Sequence, residues 1–188
     1  MTEYLYIILL ALPLGLTAFN NAFFGGVYKC LCFTETLVMA VSFMIFNSGM
    51  FWLGGWTGQS FAGSLGWLSL PFAEAILLLT GIKLIYAAIR VRPGKKNYDL
   101  SSYPELIAVS FATALNAFMA GLGFGMLRVT VIEIIVAVAV ATLLLAIAGS
   151  RIGIRNGRYI YINFAGTIAG IMLIALGVLL AVDLHGLL

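Results

Sequence analysis

The residues able to do chemistry in this sequence are amides and hydroxyls set inside long apolar runs. Thr17, Asn20 and Asn21 interrupt the first run, with Phe24 completing a stripe at helical spacing. Ser110, Thr113 and Asn116 form a similar stripe in a later run. Asn47 with Ser48, Thr142, and Asn163 with Thr167 stand inside three others, and Glu74 is the one acid well inside such a run. Where water is excluded, a polar side chain costs free energy unless it is satisfied, so each of these needs a partner on another helix or a bound cargo. Amide and hydroxyl oxygens are hard ligands that suit hard cations, but they bring no charge to neutralise them. A glutamate in such a place serves as a hydrogen-bond donor, an ion ligand or a proton carrier. Chemistry of other kinds is missing: there is no glycine-rich phosphate loop, no pair of catalytic carboxylates and no nucleophile beside a histidine. His185, the one histidine, stands near the carboxyl end. An enzyme is therefore not expected. Cys30 and Cys32 are too close to staple a fold, and a C-x-C pair without further Cys or His nearby is a poor metal site.

The elements that must position these groups follow from composition. Of 188 residues 63% are hydrophobic and 9% charged, against roughly 25% charged in soluble domains. Such a chain cannot cover itself with polar surface, so its solvent is largely lipid, and a net charge of +3 gives no reason to expect nucleic acid. A span needs ~20 apolar residues, and six stretches qualify: Leu5–Val27, Phe33–Gly54, Leu68–Ile89, Leu106–Leu127, Val129–Gly149 and Tyr159–Val182. The first lacks a basic leader and is long enough to span, so no cleavable signal peptide is expected. The polar stretch around Arg90–Pro104, with its Pro-Gly turn, reads as a linker, over residues 91–104, between a first unit at 1–90 and a second at 105–188. With the amino terminus outside, the inward loops hold Lys29, Arg90, Arg92, Lys95, Lys96, Arg151, Arg155 and Arg158, whereas the outward loops hold Arg128. The positive-inside rule thus places both termini outside. Trp52, Trp56 and Trp67 would then form an outer interfacial belt.

The halves can be laid on each other. Thr17-Ala18-Phe19-Asn20 matches Thr113-Ala114-Leu115-Asn116, Gly25 matches Gly121, and Phe72-Ala73-Glu74 matches Phe164-Ala165-Gly166. Three helices per half is an odd number, so the halves enter the membrane from opposite sides. Inverted repeats of this kind place a substrate site near the midplane, at the repeat interface. The expected fold is an all-α membrane protein of six transmembrane helices in two inverted three-helix repeats. Asn20 and Asn116, being matched, are the expected core of a site, whereas Asn21, Ser48 and Thr167 read as interhelical glue. The glycines after Asn20 and Asn116, and Gly166-x-x-x-Gly170, read as close-packing surfaces. Pro13 should kink the first helix. Lys83 lies out of phase with Glu74 on one helix and should snorkel to the inner interface.

The second half, ATALNAFMAGLGFGML followed by VAVATLLLAIAGSRIG and AGIMLIALGVLL, resembles the MntP-type manganese exporters of the LysE transporter superfamily. The resemblance rests on a helix 4 motif of the form S-[IL]-D-A-x-A-V-G, a glycine-rich helix 6 and a histidine close to the end, here His185-Gly186. A helix 1 motif, M-D-A-F-A, is read here as Phe19-Asn20-Asn21-Ala22-Phe23. The likeness is diffuse but runs over nearly the whole chain. Set on that pattern, the family aspartates of helices 1 and 4 become Asn20 and Asn116. An acid of helix 2 falls on Asn47 and a glutamate of helix 6 on Gly166, while its repeat partner in helix 3 is Glu74. The matching supports the fold and weakens the metal. A nearly neutral site in low dielectric offsets little of the desolvation of a divalent ion.

The resemblance implies a secondary transporter that exports a cation, with manganese as transported substrate rather than cofactor. The expected substrate-binding residues are Asn20, Asn47, Asn116, Thr17, Thr113, Thr142 and Glu74, between helices 1, 2, 4 and 5. Asn20, Asn116 and Glu74 are the candidate metal ligands among them. Two alternatives stay open: an exporter of a neutral or zwitterionic solute, and a non-transporting membrane subunit that kept the scaffold and lost the site. Membrane lipid, the small ion or solute and a second copy of the chain are the expected partners. A bacterial-type cytoplasmic (inner) membrane is the expected location.

Overall fold

The computed structural model describes residues 2–28, 32–90, 100, 102–127, 131–156 and 164–185, with side chains for most of them. Six long helices are found there: α1 (Thr2–Tyr28), α2 (Phe33–Leu65), α3 (Ser69–Arg90), α4 (Tyr103–Met126), α5 (Val131–Asn156) and α6 (Phe164–His185). Each contains a stretch long and apolar enough to cross a membrane. Large apolar side chains point outward from every helix, among them Ile8, Ile45, Leu79, Phe111, Val136 and Val178. Exposed apolar surface on this scale belongs in lipid. The chain is an all-α, multi-pass membrane protein.

Two helices run well past the ends read off the sequence. The second helix runs past Gly54 to Leu65 and ends in a short 3-10 turn, Gly66–Leu68, with Gly66 at φ 56°. Gly54-Gly55 looks like a breaker in sequence, but it is a contact surface: a Cβ at Gly54 would run into the Phe118 carbonyl of α4. The fifth helix likewise continues through Gly149 and Gly153, whose missing side chains admit the Phe19 and Phe23 carbonyls of α1. Small residues that let backbones approach are how helices associate in lipid, where no hydrophobic drive exists between them. At the start of α2, the Cys32 N–H donates to Glu35 Oε2 at 2.9 Å, satisfying one of the orphan donors of a helix start. Helix α1 continues through Pro13.

The packing is paired. Helices α1 and α5 lie side by side in parallel, in register Phe19–Gly149 and Phe23–Gly153. Helices α2 and α4 do the same, in register Phe51–Gly121 and Gly55–Gly125. Helices α3 and α6 pack antiparallel, Gly81 against Gly170. Exchanging α1, α2 and α3 with α4, α5 and α6 carries each of these contacts onto another of them or onto itself. One end of the bundle collects Arg90, Arg151 and Arg155, the arginines of the described residues, and Arg151 stacks over the Phe33 ring at 5.3 Å. The other end holds Glu133 at the start of α5 and the exposed Trp56 of α2.

Candidate functional site

Polar residues sit in the bundle because a helical stripe repeats every three to four residues, so Thr17, Asn20 and Asn21 share one face of α1. That face meets Asn116 of α4, and together they line a cavity of about 110 Å³, completed by Leu84, Ala87 and Ala88 of α3 and by Gly166 of α6. Gly166 keeps the wall open: a Cβ there would stand 3.1 Å from Ala88 Cβ and 3.5 Å from Asn20 Nδ2. Thr113 is buried just behind. It accepts a hydrogen bond from Asn21 Nδ2 at 2.7 Å and donates to its own Val109 carbonyl at 2.7 Å. Thr17 donates to the Leu14 carbonyl at 2.7 Å. Both threonine hydroxyls therefore spend their protons on the backbone, which leaves oxygen lone pairs as what they can offer a ligand.

The cavity belongs to one end of the bundle. Ala87 and Ala88 lie in the last turn of α3, and Gly166 lies in the first turn of α6. Asn20 is two turns short of the end of α1, and Asn116 is near the middle of α4. The cavity thus runs from the Arg90 end to about the membrane centre. Beyond it the core is apolar: Leu10, Leu14, Leu77, Phe124, Ile134, Val138 and Leu176 are fully or almost fully buried in one cluster. That plug separates the cavity from the opposite end.

The expected site residues divide. Asn20, Asn116 and Thr17 line one cavity, and Thr113 joins them through Asn21. Asn47 and Thr142 do not line it; they are buried at 1% and 0% exposure in α2 and α5. Asn47 Oδ1 and Nδ2, Ser110 Oγ and Thr142 Oγ1 find no hydrogen-bond partner among the described residues. Glu74 is half-buried and ten residues before Leu84, about 15 Å away along α3 on the far side of the plug. The walls are α1, α3, α4 and α6, where the sequence suggested helices 1, 2, 4 and 5.

Three participants were not expected from the sequence. Asn21, read as glue, both ties α1 to α4 and lines the cavity. Gly166 is a wall residue. Lys83, expected at the interface, turns instead to Asn116 and donates from Nζ to Oδ1 at 3.0 Å. Its signal in the sequence was only its charge inside a span. Among the described residues no three His, Cys, Asp or Glu side chains are grouped so as to hold a metal. Asn163 and Cys30 lie outside the described residues, and Cys32 is exposed with a free thiol. The cavity can therefore offer a small cargo amide and hydroxyl oxygens, and room for several waters, beside one cation.

Residues 30–180 match the family model Mntp, described as "Putative manganese efflux pump". A protein of that name from Methanothermobacter thermautotrophicus is 30% identical over 178 residues, covering 93% of this chain and 94% of the relative. One from Rippkaea orientalis is 30% identical over 175 residues, covering 93% of each. Another, from Methanoregula boonei, is 31% identical over 150 residues and covers 80% of each. No solved structure matches the chain.

Proposed function

Because the chain belongs to the Mntp family, we propose that it is a secondary transporter that exports manganese through the cavity between α1, α3, α4 and α6. The observation that carries this reading is that Asn20 and Asn116, matched in the two halves, line a single cavity open toward one end and plugged toward the other. A secondary transporter needs such a site at the junction of its repeats, presented to one side at a time. The paired packing of α1 with α5 and of α2 with α4 supports two inverted halves, residues 1–90 and 105–188. Gathering of Arg90, Arg151 and Arg155 supports placing the cavity end in the cytoplasm, both termini outside, and the bundle in the cytoplasmic membrane. In this orientation the cavity is the inward-facing site of an exporter.

Cargo binding follows from the wall. A manganese ion takes carbonyl oxygen and water readily. The amide oxygens of Asn20, Asn21 and Asn116 and the hydroxyl of Thr17 would share its coordination sphere with waters that it keeps on entry. Passage to the other side requires the apolar plug to part. Asn47 and Thr142, buried without hydrogen-bond partners among the described residues, would then become reachable as α2 and α5 move against α4 and α1. A second reading, export of a neutral or zwitterionic solute, is favoured by one observation: the described wall carries no carboxylate and touches the Lys83 ammonium through Asn116. The experiment that separates them is expression in cells stripped of their own manganese exporter. Lower cell manganese and restored growth in high manganese, both lost in Asn20→Leu, are expected. Unchanged cell manganese with a correctly inserted protein would refute manganese export and leave the solute reading.

A further inference from the structure

Lys83 stands in the membrane-spanning part of α3, seven residues before Arg90 and so roughly 10 Å from the helix end. An ammonium there has lost most of its water and must find acceptors in the protein. Among the described residues its acceptor is Asn116 Oδ1, at 3.0 Å. Among the described residues the acids of α3, α4 and α6 all stand well away from it along their helices. Helix α4 carries Glu105, about 16 Å below Asn116 along the helix. Helix α6 has its acid, Asp183, in the last turn at the opposite end. Glu74 of α3 itself is nine residues before Lys83, about 13 Å away.

The atom that Lys83 holds is one that a metal cargo would need. An amide oxygen is the cation-seeking end of asparagine, and Asn116 lines the cavity with Asn20, Asn21 and Thr17. An ammonium at hydrogen-bond distance from that oxygen already supplies it with positive charge. A divalent ion approaching the same oxygen meets a like charge in a low-dielectric surrounding, where repulsion is strong. Lys83 is otherwise exposed on the lipid side of α3, and its flexible stem can carry the ammonium away toward the Arg90 end. We propose that the Lys83 ammonium is a tethered cation that occupies the metal position at Asn116 Oδ1 and must leave before the cargo binds. Lys83 thereby sets the affinity of the site, rather than serving as an interfacial anchor. This rests on the reading of the cavity as a manganese site.

The test uses the purified full chain in lipid nanodiscs and manganese(II) as the probe, with binding followed by calorimetry and by electron paramagnetic resonance. Lys83→Gln removes the charge and should tighten manganese binding by roughly tenfold or more, while Lys83→Arg keeps the charge and should bind about as weakly as the unaltered protein. A second readout is the rate of reductive methylation of Lys83, followed by mass spectrometry. Saturating manganese should raise it, because the displaced amine is no longer held by Asn116. Equal affinities in the unaltered protein and Lys83→Gln, or a methylation rate indifferent to manganese, would overturn the tethered cation while leaving a manganese site standing. Failure of all three proteins to bind manganese at millimolar concentration would overturn both.

Discussion

Replacing Asn20 by Asp should restore to the cavity a charge that its amide wall lacks, and the structure says that the same change at Asn116 should not. A unit negative charge about 4 Å from a divalent cation is worth ~8 kcal/mol before any cost, taking the effective dielectric of 20 that suits such sites. Desolvating the new carboxylate takes back several kcal/mol. A net gain of about 1.5–3 kcal/mol remains, or roughly ten- to a hundredfold in the manganese dissociation constant. At position 116 the new carboxylate would sit where Lys83 Nζ already reaches, 3.0 Å from the present Oδ1. It would pair with the ammonium, and charge-assisted bonds of this kind are short and strong. Its charge would then be spent, so Asn116→Asp alone should gain no more than about threefold. The double substitution should at least equal Asn20→Asp. Manganese titration of the four proteins in nanodiscs measures this. Equal gains at the two positions would refute the Lys83 argument, and tight manganese binding in the unaltered protein, unchanged by both substitutions, would refute the charge argument as a whole.

Gly166→Val should fill the mouth of the cavity against Ala88 and Asn20 and abolish export while the protein still inserts; export at normal rate, measured as cell manganese, would show that the cargo does not pass Gly166. Glu74→Gln should leave export near its normal rate, since Glu74 lies about 15 Å along α3 from the cavity wall; a dead variant that folds would put Glu74 back on the path. Gly125→Leu places a side chain into the Gly55 carbonyl of α2 and should cost about 1–3 kcal/mol or more of stability, seen as a lower melting temperature in detergent. Impermeant thiol reagents should label a cysteine placed at Ser64 from outside and spare one at Asn97, and the reverse pattern would invert the orientation.

How far the sequence could carry these conclusions depended on whether a feature was local. A run of twenty apolar residues declares a spanning helix without reference to anything else, and all six spans were legible in this way. The meeting of Asn20 with Asn116 in one cavity was legible too, because the flanking Thr-Ala-x-Asn words repeat and mark the two as matched positions. Gly54-Gly55 misled because glycine has two meanings. In water it breaks a helix, whereas between helices in lipid it is the place where a neighbour's backbone rests, and only the carbonyls of Phe118 and Gly55 facing the α2–α4 seam show which meaning applies. Asn47 and Thr142 have polar character as good as that of Asn20. Nothing in their spacing tells on which side of the bundle α2 and α5 turn them, and they face the core away from the cavity.

Lys83 is the sharpest case of such non-local information. Helical phase correctly separated it from Glu74, and physical reasoning then sent it to the nearest water, because nothing in α3 could satisfy an ammonium. What that reasoning lacked was the packing of α3 against α4, which puts an amide oxygen closer than the interface. A cation inside a membrane takes the acceptor within reach, and reach is set by tertiary structure. The same packing gives a common sense to the amides that stand where the resemblance implies aspartates. An aspartate in place of Asn116 would have bound the lysine as a fixed ion pair, difficult to open in low dielectric. The neutral amide holds it by one hydrogen bond, a contact that a cargo ion can displace. The neutral ligand and the ammonium are thus two parts of one arrangement, and substitution at either position should change what the other does.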